Sequence, residues 1–181
     1  MYHIKKLISI LLLLLLFFLI FSCTKNEIPP TTLEMRDSLI YKIGSDTTFT
    51  GKEKAMVEGK IIEYDVVEGM RHGDFRFYYE NGNLEVRGQM DHNKNIGKWQ
   101  YYYTTGELEL EGNFVDNNPE GKWTWYFPSG KIMEAGNFTN GKRVGLWKQF
   151  DEQGNLIIDK EFLFEDSVTT EENYLDKFRN K

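Results

Sequence analysis

A period of 24 residues runs through the second half of the chain and constrains its fold more than any other feature. Three columns of glycine, each with one residue per period, follow this step: Gly73, Gly97, Gly121 and Gly145; Gly82, Gly106, Gly130 and Gly154; and Gly88, Gly112 and Gly136. A fourth column is aromatic and consists of Phe75, Trp99, Trp123 and Trp147. Columns that coincide in this way indicate tandem units that fold alike and bury apolar surface against each other.

Each unit has the sequence pattern of a β-hairpin. In the second unit, residues 99–103 (Trp-Gln-Tyr-Tyr-Tyr) favour a strand, and residues 104–107 predict a turn around a glycine. Residues 108–114 alternate between apolar and small or polar side chains, which predicts a half-buried strand. Residues 116–120 predict a second turn that leads into the next unit. We therefore expect an all-β fold in which 24-residue β-hairpin repeats form one elongated, twisted antiparallel sheet.

The third glycine column has a packing explanation. Gly112 shares a strand face with Leu110 and Phe114, and its missing side chain leaves room for a large ring from a neighbouring strand or unit. We expect the column of Trp99 to fill that room.

The repeat domain is predicted to span residues 37–164. Its regular units cover about residues 69–90, 93–114, 117–138 and 141–162, and a degenerate unit covers 39–66. The last unit replaces aromatic residues of earlier units with Gln149 and Asp151, as a capping repeat requires. Residues 165–181 are acidic and then mixed in sequence, and two structures are compatible with residues 171–178, a short helix or a disordered segment.

Aromatic residues fall on both faces of the predicted strands. A second face that carries rings is covered, curled on itself or exposed to a partner. The first two possibilities make these rings core residues. The third makes one column a candidate partner-binding surface, which consists of Tyr78, Tyr102, Tyr126 and Phe150.

The first 22 residues have the pattern of an export signal. Lys5 and Lys6 precede a mostly apolar stretch, residues 7–21, that is short for a membrane span. The stretch ends in Ile20-Phe21-Ser22-Cys23, which resembles the lipobox of bacterial lipoproteins. That resemblance implies lipidation of Cys23, cleavage before it, and a place in the cell envelope outside the cytoplasm, on the outer membrane in a Gram-negative cell. An uncleaved signal anchor with an incidental cysteine is the alternative.

Residues 23–36 are predicted to be a flexible tether, since they include Pro29-Pro30 and show no apolar period. Cys23 is the only cysteine, so no disulfide can form within the chain. Without Lys5 and Lys6, 20 basic residues face 28 acidic ones. This negative balance argues against nucleic acid as a partner and against anionic lipid binding by the repeats.

We find no pattern that predicts an enzyme, a cofactor or a metal site. His72 and His92, the only histidines outside the leader, are expected to be solvated residues of the loops between hairpins. There is no phosphate-binding loop, nucleophile elbow or His-Glu-x-x-His motif. The acidic and amide residues 116–118 suggest calcium, but the equivalent positions of the other units do not keep a ligand set.

The unit resembles the MORN-repeat variant of bacterial proteins often called YwqK-type antitoxin components. The resemblance rests, in the first regular unit, on the motifs Gly73-Asp74-Phe75, Tyr78-Tyr79, Asn81-Gly82, Leu84 and Gly88. It covers about residues 34–162 and implies a scaffold fold. The antitoxin name would imply masking of a toxin protein, which fits poorly with an exported, lipid-anchored chain.

Three functions are compatible with the sequence. The first is a membrane-anchored scaffold that binds another envelope protein or a glycan. The second is an antitoxin-like or immunity protein that masks a toxin. The third is an envelope enzyme, which would need a pair of carboxylates in a cleft. We favour the scaffold, because repeat sheets offer long surfaces and no catalytic cluster is evident.

Overall fold

The computed structural model describes residues 29–163, and within this range the fold is all-β. The twelve strands are β1 (Leu33–Arg36), β2 (Leu39–Lys42), β3 (Gly51–Val57), β4 (Lys60–Val67), β5 (Met70–Tyr78), β6 (Leu84–Asp91), β7 (Lys94–Tyr102), β8 (Leu108–Val115), β9 (Asn118–Tyr126), β10 (Ile132–Thr139), β11 (Lys142–Phe150) and β12 (Leu156–Phe162). No helix in the described part is long and apolar enough to cross a membrane. The predicted leader, Cys23 and the tail from residue 165 lie outside the described residues.

Strands β3 to β12 form one open antiparallel sheet of ten strands, each paired with its neighbours in sequence. Strands β5, β7, β9 and β11 begin 24 residues apart, and so do β6, β8, β10 and β12. The prediction of 24-residue hairpins joined into an antiparallel sheet is therefore confirmed.

The amino-terminal part differs from the prediction. Strands β1 and β2 pair with each other in a separate two-stranded sheet, so residues 33–36 are not part of a tether. The degenerate unit, predicted over 39–66, is likewise divided, because only β3 and β4 join the long sheet. The physical reason is a small apolar core in which Leu33 and Ile40 pack against Val66.

The glycine columns serve three different purposes. The column of Gly106 lies in hairpin turns, as predicted, and Gly106 has a φ of +104°. The column of Gly97 lies inside strands. Gly97, with a φ of +62°, falls where the pairing of β6 with β7 shifts register. A glycine at such a bulge allows the strand to bend sharply.

The third column leaves space for tryptophan, as predicted. A Cβ at Gly112 would stand 2.0 Å from Cδ2 of Trp123, and Gly88 and Gly136 meet Trp99 and Trp147 in the same way. The ring always comes from the following hairpin, so each unit completes the core of the unit before it.

These tryptophans belong to a ladder of rings along one face of the sheet, which we call the inner face. Phe114 packs edge-on against Trp123 with ring centroids 5.0 Å apart, and Phe138 packs edge-on against Trp147 at 5.1 Å. Trp123 is fully buried. The inner face is therefore the hydrophobic core of the array.

The last described strand is less polar than a capping unit should be. Gln149 is half-buried, but Leu156, Ile157 and Ile158 of β12 are 51%, 61% and 48% exposed. These side chains are exposed because β12 has only β11 as a paired strand in the part of the chain that the structure describes. An apolar edge therefore lies beside the polar replacements Gln149 and Asp151.

Candidate functional site

The predicted partner-binding column lies on the face opposite the ladder, which we call the outer face. Its members, Tyr78, Tyr102, Tyr126 and Phe150, are all half-buried. Two of the hydroxyls are engaged within the sheet, since Tyr78 donates to Glu63 at 3.1 Å and Tyr126 donates to Glu111 at 3.2 Å. Two tyrosines of this column are therefore already hydrogen-bonded to side chains of the outer face.

Glu111 is the centre of one such contact. Lys98 lies 2.9 Å from its carboxylate, and Gln100 donates to it at 2.9 Å. Burial alone would raise the pKa of Glu111, but hydrogen bonds, first that of Lys98, outweigh it and hold the pKa below its ordinary value. The outer face of the second unit is thus a network of ionised and hydrogen-bonded side chains.

The outer face changes character in the last unit. The column that holds Lys98 and Lys122 continues as Leu146, and the column of tyrosines continues as Phe150. The result is an apolar surface, which we call the C-terminal patch and which consists of Ile132, Leu146, Phe150 and Leu156. Leu146 is 47% exposed. Leu156 pairs with Phe150 across β11 and β12.

A shallow cleft of about 240 Å³ crosses the C-terminal patch. Ile132, Leu146 and Phe150 line it, together with the exposed lysines Lys122 and Lys148. An apolar cleft with cations at its margin suits an apolar segment that also carries acidic side chains. No sequence signal isolates this cleft, since its residues come from three strands.

The inner face has a polar interruption at the same end. Glu134 occupies the column of Val86 and Leu110, and its carboxylate lies 2.9 Å from the guanidinium of Arg143. The carbon of that guanidinium is 4.1 Å from the ring centroid of Trp147. The pair is partly buried and is satisfied within the fold, so we assign it a structural role.

Four stretches of the chain match the model of the MORN repeat variant family: residues 71–92, 96–116, 119–140 and 143–163. Each match covers most of both strands of one regular hairpin. The four hairpins belong to the MORN repeat variant family. No curated protein matches the chain.

Among solved structures, one similarity is to a mutant of S. aureus TarM in complex with fondaparinux, alpha-GlcNAc-glycerol and UDP. The identity is 15% and the TM-score is 0.35. The match covers 54% of this chain and 19% of that chain, so it spans about a fifth of the TarM structure.

The first MORN unit contains the histidines that the sequence had placed in separate loops. His72 lies within β5 rather than in a loop, whereas His92 is in a turn as predicted. Their Nδ1 atoms lie 2.9 Å and 2.6 Å from the same carboxylate oxygen, Oδ1 of Asp91. Spacing along the chain did not reveal this cluster, because antiparallel pairing brings together residues 19 positions apart.

Proposed function

We propose that this chain is a MORN-repeat scaffold, held to the bacterial envelope by a lipid on Cys23, that binds another envelope protein through the C-terminal patch. One observation carries the choice of surface: the outer face is charged in the second unit and apolar around a cleft in the last unit. Exposed apolar clusters on repeat sheets are typical of interaction surfaces.

The proposal commits to a protein segment with apolar and acidic side chains as the occupant. Lys122 and Lys148 flank the cleft, and neither forms an ion pair within the part of the chain that the structure describes. A glycan would be expected to seek aromatic faces with hydrogen-bonding groups, whereas Leu146 and Ile132 offer only apolar contact.

A double substitution tests the C-terminal patch and uses only residues that another unit has at the same positions. Leu146→Lys combined with Phe150→Tyr gives the last unit the side chains that the preceding unit carries at Lys122 and Tyr126. We expect the array to fold and its affinity for the partner to fall at least about tenfold, which corresponds to about 1.4 kcal/mol of binding free energy. The measurement is quantitative mass spectrometry of proteins that co-purify after mild detergent extraction.

The matched control alters the outer face of the first unit, where Arg87→Ala removes an exposed side chain. This variant should keep the partner at the wild-type level. Equal partner recovery from the wild type and the double swap would exclude the C-terminal patch. Binding of an oligosaccharide, or of a toxin encoded nearby, would instead favour the glycan or immunity role.

The anchor is tested separately at Cys23. The Cys23→Ser variant should lose labelling by a fatty-acid analogue and leave the membrane fraction, because stable anchoring requires the acyl chains. A variant that stays in the membrane without the label would support the uncleaved signal anchor. Labelling that persists without the only cysteine would contradict the lipid site.

A further inference from the structure

The cluster of His72, Asp91 and His92 has the donor set of a metal site. Two imidazole nitrogens and one carboxylate oxygen lie within 4.8 Å of one another. The two imidazole rings are edge-to-face, with centroids 5.8 Å apart. Two histidines and one carboxylate are a frequent ligand set for divalent transition metals, with the remaining coordination positions left to water or to an external ligand.

The backbone holds this cluster in place without help from the imidazole rings. His92 and Asn93 form a tight turn with φ values of 46° and 65°. Asn93 is joined to Arg71 by two hydrogen bonds: its N–H donates to the Arg71 carbonyl at 3.0 Å, and its Oδ1 accepts from the Arg71 N–H at 2.8 Å. The turn that carries His92 is therefore fixed to the strand that carries His72.

The repeat architecture does not require these side chains. The next unit has the same turn at Asp116 and Asn117, with φ values of 48° and 70°, and Asn117 makes the same pair of hydrogen bonds with Asn95. Yet the positions equivalent to the cluster carry other residues, which are Ile96, Val115 and Asp116. Folding alone therefore does not explain why both histidines meet one aspartate in the first unit.

The donors are also accessible to a cation. The His72 and His92 side chains are 50% and 65% exposed, so an ion can reach them from solvent.

We infer that His72, Asp91 and His92 bind one divalent transition-metal ion of the zinc type on the rim of the first MORN unit. The ion would replace the proton shared between each imidazole and the carboxylate, and small rotations of the three side chains would bring the donors around it. The site would leave at least one position open, because only three protein ligands converge there.

The first test is calorimetric titration of the full chain, purified without a histidine tag, with zinc chloride. We expect saturable binding of one ion per chain and no comparable binding of magnesium, which prefers oxygen ligands. Replacing the cluster with the residues of the next unit, His72→Ile with Asp91→Val and His92→Asp, should abolish zinc binding. Circular dichroism and thermal melting establish that this variant folds.

The reverse transplant keeps the inference testable even if the first variant unfolds. Ile96→His with Val115→Asp and Asp116→His places the same three donors on the equivalent backbone of the second unit. Stoichiometry should then rise from one zinc ion to two. The inference is overturned if the wild type shows no saturable zinc binding, or if a folded first transplant binds as the wild type does. A reverse transplant that folds but gains no ion also counts against it.

Discussion

At the scale of single residues, the contact between Trp123 and Gly112 joins the packing of one hairpin to the sequence of the hairpin before it. The ring of Trp123 occupies the volume in which any side chain at Gly112 would stand. Because protein cores are close-packed, neither position can change alone without cost. This dependence explains in physical terms why the two columns keep the same period.

The Gly112→Ala variant should be less stable by about 1 to 3 kcal/mol, since its methyl group would lie 2.0 Å from the ring of Trp123. Urea unfolding of the wild type and the variant measures this loss. A double-mutant cycle with Trp123→Leu identifies the cause, because the alanine should be tolerated better when the ring is absent. An equal loss in both backgrounds would mean that the ring is not responsible.

Two lysines illustrate how burial changes the contribution of an ion pair to the free energy of unfolding. Lys60 lies 2.8 Å from Glu85, whose side chain is 2% exposed, whereas Lys52 lies 3.1 Å from Asp65 and is itself 83% exposed. We expect Lys60→Ala to destabilise the fold by about 3 kcal/mol, because it weakens the compensation of a buried carboxylate. Lys52→Ala should cost less than about 1 kcal/mol. Similar losses in thermal or urea unfolding would contradict this account.

At the scale of strands and turns, hairpins were predictable from sequence, and the less regular features were not. The turns around Gly106 and the strand of Leu108 follow from glycine chemistry and alternation. The bulge at Gly97 could not be predicted in this way. A glycine with positive φ looks the same in the sequence whether it lies in a turn or in a strand. Strand β1 was missed because Leu33 is buried in a cluster with Ile40 of β2 and with Val66, which is 33 residues away along the chain.

The candidate sites were less predictable than the hairpins. The tyrosine column was placed on one face from the period alone, but the C-terminal patch depends on which residues of three neighbouring strands surround one cleft. The meeting of His72 with His92 likewise depends on the register of β5 with β6. Register is decided by bulges and turn geometry that a single sequence does not display.

The turns between hairpins allow a prediction about asparagine. Asn117 has a φ of +70° and accepts a hydrogen bond from the N–H of Asn95. Asn117→Gly should cost about 1 kcal/mol, because it removes that bond and keeps the backbone conformation. Asn117→Ala should cost about 1 kcal/mol more, because a Cβ is disfavoured at positive φ. Gly141 stands at this position in the following unit, so glycine is tolerated there.

The Glu111 network joins β7, β8 and β9 and should make stability depend on pH. The pKa of Glu111 in the folded state lies below its ordinary value of 4.5, so its stabilising contribution is present above that value and is lost as the pH falls through the folded pKa. Glu111→Gln should therefore lower the melting temperature near neutral pH and lower it less at about pH 3. A constant difference across this range would exclude the network as the cause.

At the scale of the whole molecule, the array is a chain of nearest-neighbour contacts, because each strand of the long sheet pairs only with strands adjacent in sequence. Arrays of this kind lose structure locally when a terminal unit is weakened. The C-terminal patch lies at one end of the described array, where such a loss removes the proposed binding surface and leaves the remaining units folded.

Trp147→Ala and Trp123→Ala should therefore have different consequences. Each removes a buried tryptophan, at a cost of about 3 to 5 kcal/mol. Trp147→Ala should accelerate hydrogen exchange in β10 to β12 while β3 to β7 keep their protection. Trp123→Ala should accelerate hydrogen exchange in the strands on both sides of β9. Uniform acceleration in both variants would indicate one cooperative unit instead of a nearest-neighbour array.

We propose above all that this array acts through the apolar end of its outer face. The most direct test is photocrosslinking in intact cells, with a photoreactive amino acid at position 146 and, for comparison, at position 98, which is equivalent in the second unit. We expect one defined protein adduct from position 146, its loss when Phe150→Tyr and Ile132→Lys are added, and no adduct from position 98. Equal adducts from both positions, or none from position 146 in a folded and anchored chain, would contradict this proposal.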